Sequence, residues 1–176
     1  MKKCCKVIPT YFGPRRRFHF NEDDTIEMLK FNIENEINTN PGEGLEVDTI
    51  IVNNSPEYKK GTEFLKTQNG RKTNKGKIIV IEGDNIGMSY GAHNFVYQRF
   101  KKEYDYWFFT EEDIIFNFNR YYEHSINQLN RKPNLAFVCG FGVASTRQPH
   151  AHYGAGCTSS KYLYIASQAN GGNLPH

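Results

Sequence analysis

The stretch GKIIVIEGDNIGMSYGAHNFVYQRFKKEYDYWFF, residues 76 to 109, decides the fold. It opens on a continuous apolar run, "GKIIVI" (76 to 81). It then turns through Asp84, Asn85, Ile86 and Gly87 into a segment where Met88, Ala92, Phe95, Val96 and Phe100 recur at helical spacing. It closes on a second run, "YWFF" (106 to 109). Continuous β-branched or aromatic runs of this length are expected for strands covered on both faces, and the intervening period is helical. The unit is therefore predicted as strand, helix, strand.

The same alternation extends in both directions. "KVIPTY" (6 to 11) and "VDTIIV" (47 to 52) are further candidate strands, and "LAFVC" (135 to 139) is a fifth. Ile26, Leu29, Ile33 and Ile37 predict a helix, with Asp24 and Glu27 as a variant capping box and "NPGEG" as its stop. Tyr58 to Leu65 has room for one or two helical turns. Tyr122, Ile126 and Leu129 mark another helix, and Leu163, Ala166 and Ala169 a last one. Alternating strands and helices in 176 residues, with no internal repeat or linker, predict one α/β domain over residues 1 to 176. Its architecture is a three-layer α/β/α sandwich around a mostly parallel mixed central sheet.

Composition excludes several classes. At 38% hydrophobic and 14% aromatic the chain is too apolar for disorder. No apolar run approaches the ~20 residues that span a bilayer, and the N-terminus has no hydrophobic signal core, so a cytoplasmic location is expected. The four cysteines, Cys4, Cys5, Cys139 and Cys157, have no C-x-x-C spacing and are expected to be free thiols. The net charge of +3 is unevenly spread: after Asp113, five cations face a single acid, Glu123. An anionic ligand between a basic C-terminal half and an acidic cluster fits this distribution, and so do solvated cations.

In such sheets the ligand crevice lies beyond the carboxyl ends of the strands. After the first candidate strand, "PTYFGPRRR" offers a Pro9 and Gly13-Pro14 loop, the Tyr11 ring and the guanidinium groups of Arg15 to Arg17; a surface turn with a solvated basic run is the alternative. After the second, Asn53, Asn54 and Ser55 suit a ribose or base edge, and are also ordinary turn formers. After the third, the glycine turn meets a helix N-terminus able to accept a phosphate, or simply packs closely. Neither G-x-G-x-x-G nor a P-loop is present. After the fourth, "YWFFTEEDIIF" (106 to 116) sets Glu111, Glu112 and Asp113 between two apolar stretches. Adjacent carboxylates repel, and burying them unpaired is costly, so a compensating cation is expected. Hard oxygen ligands suit Mg²⁺ or Mn²⁺, and in extended geometry Glu111 and Asp113 point the same way. A helix start with acids in its first turn is the competing account.

Taken in order and spacing, "KVIPTYFGPRR", "IIVNNS", "DNIGMSYGAHN" and "YDYWFFTEEDIIF" resemble the nucleotide-binding half of a family 2-like glycosyltransferase with the GT-A fold, over roughly residues 5 to 117. The resemblance implies a hexosyltransferase-like, metal-dependent and inverting enzyme that moves a sugar from a nucleotide-diphosphate sugar donor to a glycan, lipid or protein acceptor. Residues 1 to 117 would form the nucleotide-sugar-binding half and residues 118 to 176 a shortened acceptor-side half. Pro9, Thr10, Tyr11, Asn53, Asn54 and Ser55 would approach base and ribose. Asn85, Gly87, Gly91, Asn94 and Glu112 would flank the nucleotide. Glu111 and Asp113 would stand at the D-x-D position and hold the metal with the diphosphate.

The chain departs from that pattern. Asn53-Asn54 stands where many relatives carry aspartate, and Glu111 replaces the first aspartate of D-x-D. The catalytic base is unassigned; the candidates are Glu123, His150 and His152, with the terminal His176 a further alternative. The chain is shorter than such enzymes, leaving open a minimal enzyme, a remnant, or part of a longer polypeptide. Two other functions are carried: a non-catalytic nucleotide-sugar-binding module, and a nucleotidyltransferase, although the glycine- and lysine-rich phosphate loop expected of the latter after strand one is absent. No nucleic-acid partner is expected.

Overall fold

The apolar runs become strands that lie side by side. The computed structural model describes residues 1–14, 20–116, 118–139, 142–143, 150–151 and 155–175. In it β1 (Lys2–Thr10), β2 (Leu45–Asn53), β3 (Ile78–Glu82) and β4 (Tyr106–Phe109) pair in parallel in the order β3-β2-β1-β4. β1 and β2 are buried along most of their length, because helices cover both faces of the sheet.

Those helices are α1 (Glu22–Asn38), α2 (Lys59–Gln68), α3 (Met88–Phe100), α4 (Tyr121–Arg131) and α5 (Ser160–Ala169). Right-handed crossovers explain the layering. The steps β1 to β2 to β3 run one way across the sheet, whereas β3 to β4 runs back past β1, so the same handedness places α3 on the opposite face from α1 and α2. The cores agree. Ile8, Ile51 and Ile78 meet Ile26, Leu29, Ile33 and Leu65 on one face. Val7, Ile50, Val52 and Trp107 meet Ala92, Val96, Tyr97 and Leu163 on the other. Through Tyr122, Ile126 and Leu129, α4 packs on Cys4 and Phe108, on the α1 side. The expected three-layer α/β/α sandwich is borne out.

Several local expectations change. The first helix is capped by Asn21: its side chain accepts from the backbone N–H groups of Asp23 and Asp24 at 2.8 and 3.1 Å, and Asp24 returns a bond to the Asn21 N–H at 2.9 Å. Asp24 is thus the third helical residue of a capping box, one turn inside its expected place. The segment after Tyr58 is a full ten-residue helix. In α3 the buried face is Ala92, His93, Val96 and Tyr97, while Met88 and Phe95 face solvent, so the polar His93 takes part in the core.

The far edge of the sheet also differs. Only Val138–Cys139 of "LAFVC" forms a strand, β5, at the sheet edge, and an unanticipated antiparallel strand lies between it and β4. A separate antiparallel pair, β6 (Gly142–Val143) with β7 (His150–Ala151), precedes that strand, β8 (Gly156–Ser159). Gly156 is required there: a Cβ would stand 2.3 Å from the Phe137 ring and 2.6 Å from the Val138 carbonyl oxygen. Among the described residues no helix is long and apolar enough to cross a membrane.

Candidate functional site

The chain reverses its winding between β1 and β4, so the carboxyl ends of these two strands border the crevice where an open α/β sheet takes its ligand. Local chemistry opens it. The last rung between the strands is the Thr110 N–H to the Val7 carbonyl at 3.2 Å, beside the Val7–Phe109 pair. In a parallel ladder the next rung would run from the N–H of residue 9 to the Thr110 carbonyl. Pro9 has no N–H, so the seam ends, and that carbonyl accepts from His93 Nε2 at 3.3 Å instead. Pro9 therefore lies inside β1, and the loop expected from it begins only at Tyr11.

On the β4 lip the acids occupy a tight turn. The Ile114 N–H bonds to the Glu111 carbonyl at 3.1 Å, with Glu112 and Asp113 between them. The extended alternation that paired Glu111 with Asp113 does not apply. Glu112 is buried, Glu111 half-buried and Asp113 exposed. Helix α1 holds the segment from below: Asn32 Nδ2 donates to the Ile114 carbonyl at 2.9 Å, and Asn35 Nδ2 to the Phe116 carbonyl at 2.8 Å.

Asn32 belongs to a buried network absent from the sequence expectations. Lys6, wholly buried in β1, donates to Asn32 Oδ1 at 2.6 Å and to Glu36 Oε1 at 2.8 Å, with the Phe116 ring 4.9 Å away. The Tyr122 hydroxyl donates to the other Glu36 oxygen. A buried ion pair persists only when its remaining polar groups are bonded, and these are. The one sequence signal was a lysine inside the apolar run "CCKVI".

On the β2 lip, two of the three polar residues are consumed by the scaffold. Ser55 Oγ accepts from the Phe12 N–H at 2.8 Å, and Asn53 bonds Thr62 Oγ1 at 2.9 Å and the Ser55 N–H at 3.1 Å. The Asn54 side-chain amide, buried beside Gly83, makes no hydrogen bond among the described residues, and neither does Thr10 Oγ1. Tyr11 lies edge-on to Tyr58, with ring centroids 6.3 Å apart. At the β3 end, Asp84 Oδ1 accepts the Ile86 N–H at 3.0 Å, and Asn85 and Gly87 take left-handed φ of 56° and 78°. A Cβ on Gly91 would lie 1.6 Å from the Ile86 carbonyl oxygen, so this glycine lets the turn close onto the helix. Asn94 instead ties α3 to the C-terminal segment, accepting the Leu174 N–H at 2.9 Å and donating to Asn173 at 3.1 Å.

Of the base candidates, Glu123 is not brought to this crevice. Glu123 lies on α4 beside the residues that lead into β2, at the amino ends of the strands. It takes two bonds of 2.7 Å from Arg120 and one of 3.4 Å from the Glu43 N–H. The Arg120 bonds hold its carboxyl below the usual range. His150 contributes backbone to β7; its side chain, together with His152, His176 and Arg15 to Arg17, lies outside the described residues. Among the described residues no group of three or more His, Cys, Asp or Glu side chains is placed to hold a metal.

No family model matches the chain, and no curated protein matches it significantly. Solved structures do. A 4-diphosphocytidyl-2C-methyl-D-erythritol synthase from Anaerococcus prevotii DSM 20548 superimposes with a TM-score of 0.55 at 10% identity, over 96% of this chain and 75% of that one. A CMP:2-keto-3-deoxy-manno-octonic acid synthetase complexed with CTP gives a TM-score of 0.58 at 15% identity, over 95% and 78%. Likeness at this level shows the fold. It also corrects the expectation of a glycosyltransferase. The strand-end crevice that carried that resemblance belongs to the architecture, and the same architecture serves synthases of cytidylyl compounds. The chain shares their α/β fold, and transfer of a sugar from a nucleotide donor is withdrawn as its function.

Proposed function

We propose that this chain is a nucleotidyltransferase that takes a nucleoside triphosphate, CTP first among them, at the β1–β4 crevice and joins its nucleotidyl group to an oxygen of a sugar acid or polyol phosphate. The observation that carries the proposal is the seam opened at Pro9, with the acidic turn 111–114 on one lip and the unpaired Asn54 and Thr10 polar atoms at the neighbouring strand ends. The acceptor oxygen attacks the α-phosphorus, the bond to the bridging oxygen breaks, and pyrophosphate leaves with that electron pair.

Asn54, with Thr10 and Tyr11 nearby, would meet base and ribose, and Asn85 and Gly87 would flank the phosphates. In the sequence after β1, Arg15 to Arg17 would supply the positive charge that a glycine- and lysine-rich loop otherwise gives. Glu111 and Asp113, no longer paired by an extended strand, would each be able to offer a carboxylate to Mg²⁺ or Mn²⁺, in the manner of ions held by one or two carboxylates plus substrate phosphates. Such an ion neutralises charge on the triphosphate. Asn32, on the Ile114 carbonyl of the turn, and Asn35, on the Phe116 carbonyl just after it, would keep this acidic loop anchored to α1.

The test is calorimetric titration with CTP, UTP, ATP and a UDP-sugar, each with and without Mg²⁺, followed by pyrophosphate release with sugar acids and polyol phosphates as acceptors. CTP binding that needs Mg²⁺, weakens roughly tenfold or more in Asp113→Asn, and leads to pyrophosphate release supports the proposal. Nucleotide binding without pyrophosphate release points to a binding module. No binding of any triphosphate sinks both.

A further inference from the structure

A cavity of about 280 Å³ lies on the α3–α5 face of the sheet, beneath Tyr90 and His93 and over Phe109 and Phe137, with Tyr162 and Leu163 closing its side. Among the described residues no acid, lysine or arginine lines it. Its walls are four aromatic rings, aliphatic groups and one imidazole. An engineered cavity of ~150 Å³ accepts benzene, so this volume accommodates a one- or two-ring molecule.

The polar content of the wall is specific. Thr158 Oγ1 donates to the Ala136 carbonyl at 2.6 Å, and the Tyr162 hydroxyl to the Pro133 carbonyl at 2.5 Å, so both protons are committed. His93 is 5% exposed, and its ring bonds only through Nε2. The Thr110 carbonyl can only accept, so Nε2 carries the ring proton and Nδ1 remains an acceptor. Nδ1 has no partner among the described residues. A neutral ring sits more easily than a charged ligand in a wall without counter-charge, and burial itself drives the His93 pKa down to about 4.

We propose that this cavity is a binding site for a small neutral aromatic molecule of the phenol class, its ring among Tyr90, Phe109, Phe137 and Tyr162 and its hydroxyl donating to His93 Nδ1. The cavity adjoins the strand-end crevice through His93 and Phe109, and the proposal does not depend on the nucleotide reading.

Trp107, the chain's single tryptophan, reports on it. Its ring is buried and stacks on Phe109, with centroids 6.3 Å apart, and Phe109 lines the cavity. The whole chain, without nucleotide, is titrated with phenol and with toluene while Trp107 fluorescence is followed. Phenol is expected to give a saturable change, and toluene, which lacks the donor, to bind roughly fivefold more weakly. His93→Phe should erase the preference for phenol. Ala166→Phe, at a half-buried wall position on α5, should erase binding of both while the melting curve is retained. No saturable response to phenol, equal binding of phenol and toluene, or a folded Ala166→Phe protein that binds as before would each overturn the proposal. The phenol–toluene comparison needs no variant, so it stands even if a substitution fails to fold.

Discussion

The Pro9 nitrogen and the Thr110 carbonyl stand where the next rung of the β1–β4 seam would form, one step past the Val7–Phe109 pair, and the carbonyl takes its hydrogen bond from His93 Nε2 at 3.3 Å instead. One missing N–H thereby opens the crevice at the switch point and fixes the tautomer of a buried histidine.

Pro9→Ala restores a donor opposite Thr110. The ladder should extend by one rung, and the residue 9 amide should become slow to exchange in hydrogen–deuterium exchange by NMR. A hydrogen bond gained offsets the unfolded-state restriction lost with proline, so stability should change by less than about 1 kcal/mol. Rapid exchange at residue 9 would mean that the strands diverge for another reason.

His93 should make stability depend on pH. Burial lowers its folded-state pKa from 6.5 to about 4, so between these values the unfolded chain binds a proton that the folded chain refuses. Its contribution is complete above about pH 6.5, falls as pH drops towards 4, and amounts to on the order of 3 kcal/mol. Urea unfolding at neutral pH and near pH 4.5 measures it, and His93→Phe should lose most of this difference.

Lys6→Met leaves Glu36 buried beside Tyr122 without its cation. Loss of one partner from such a pair costs about 3–5 kcal/mol. Adding Glu36→Gln, which still offers Tyr122 an acceptor, should restore more than half of that loss. Purely additive losses in the double variant would show that the pair is not coupled.

Gly91→Ala should be costly although alanine is the better helix former. The added methyl would stand 1.6 Å from the Ile86 carbonyl oxygen, so the Asp84–Gly87 turn must lift from α3. A loss of about 1–3 kcal/mol in thermal or urea unfolding is expected, as for other overpacked contacts. A variant as stable as the parent would show that the turn yields freely.

The layers of the fold were legible because they are written in local periodicity. Runs such as "VDTIIV" and "YWFF" must be covered on both faces, and the spacing of Ile26, Leu29 and Ile33 permits only a helical face. β8 escaped notice because "GCTS" has no apolar run of its own: its place depends on pairing with Phe108 and Val138, distant in sequence. The acids after β4 announced a special loop, but whether they extend or turn rested on α1, whose Asn32 and Asn35 hold that loop's carbonyls.

By itself, then, the amino-acid sequence determined the four parallel strands and the helices between them, the layered α/β class, and where polar loops follow those strands, since these depend on neighbours a few residues apart. Only the tertiary structure decided that Glu123 stands at the opposite end of the sheet, that Lys6 and Glu36 neutralise each other inside it, and that His93 borders a cavity. These depend on contacts between residues tens of positions apart. Packing alone sets such contacts, and the strand-end loops are shared by more than one chemistry on this fold.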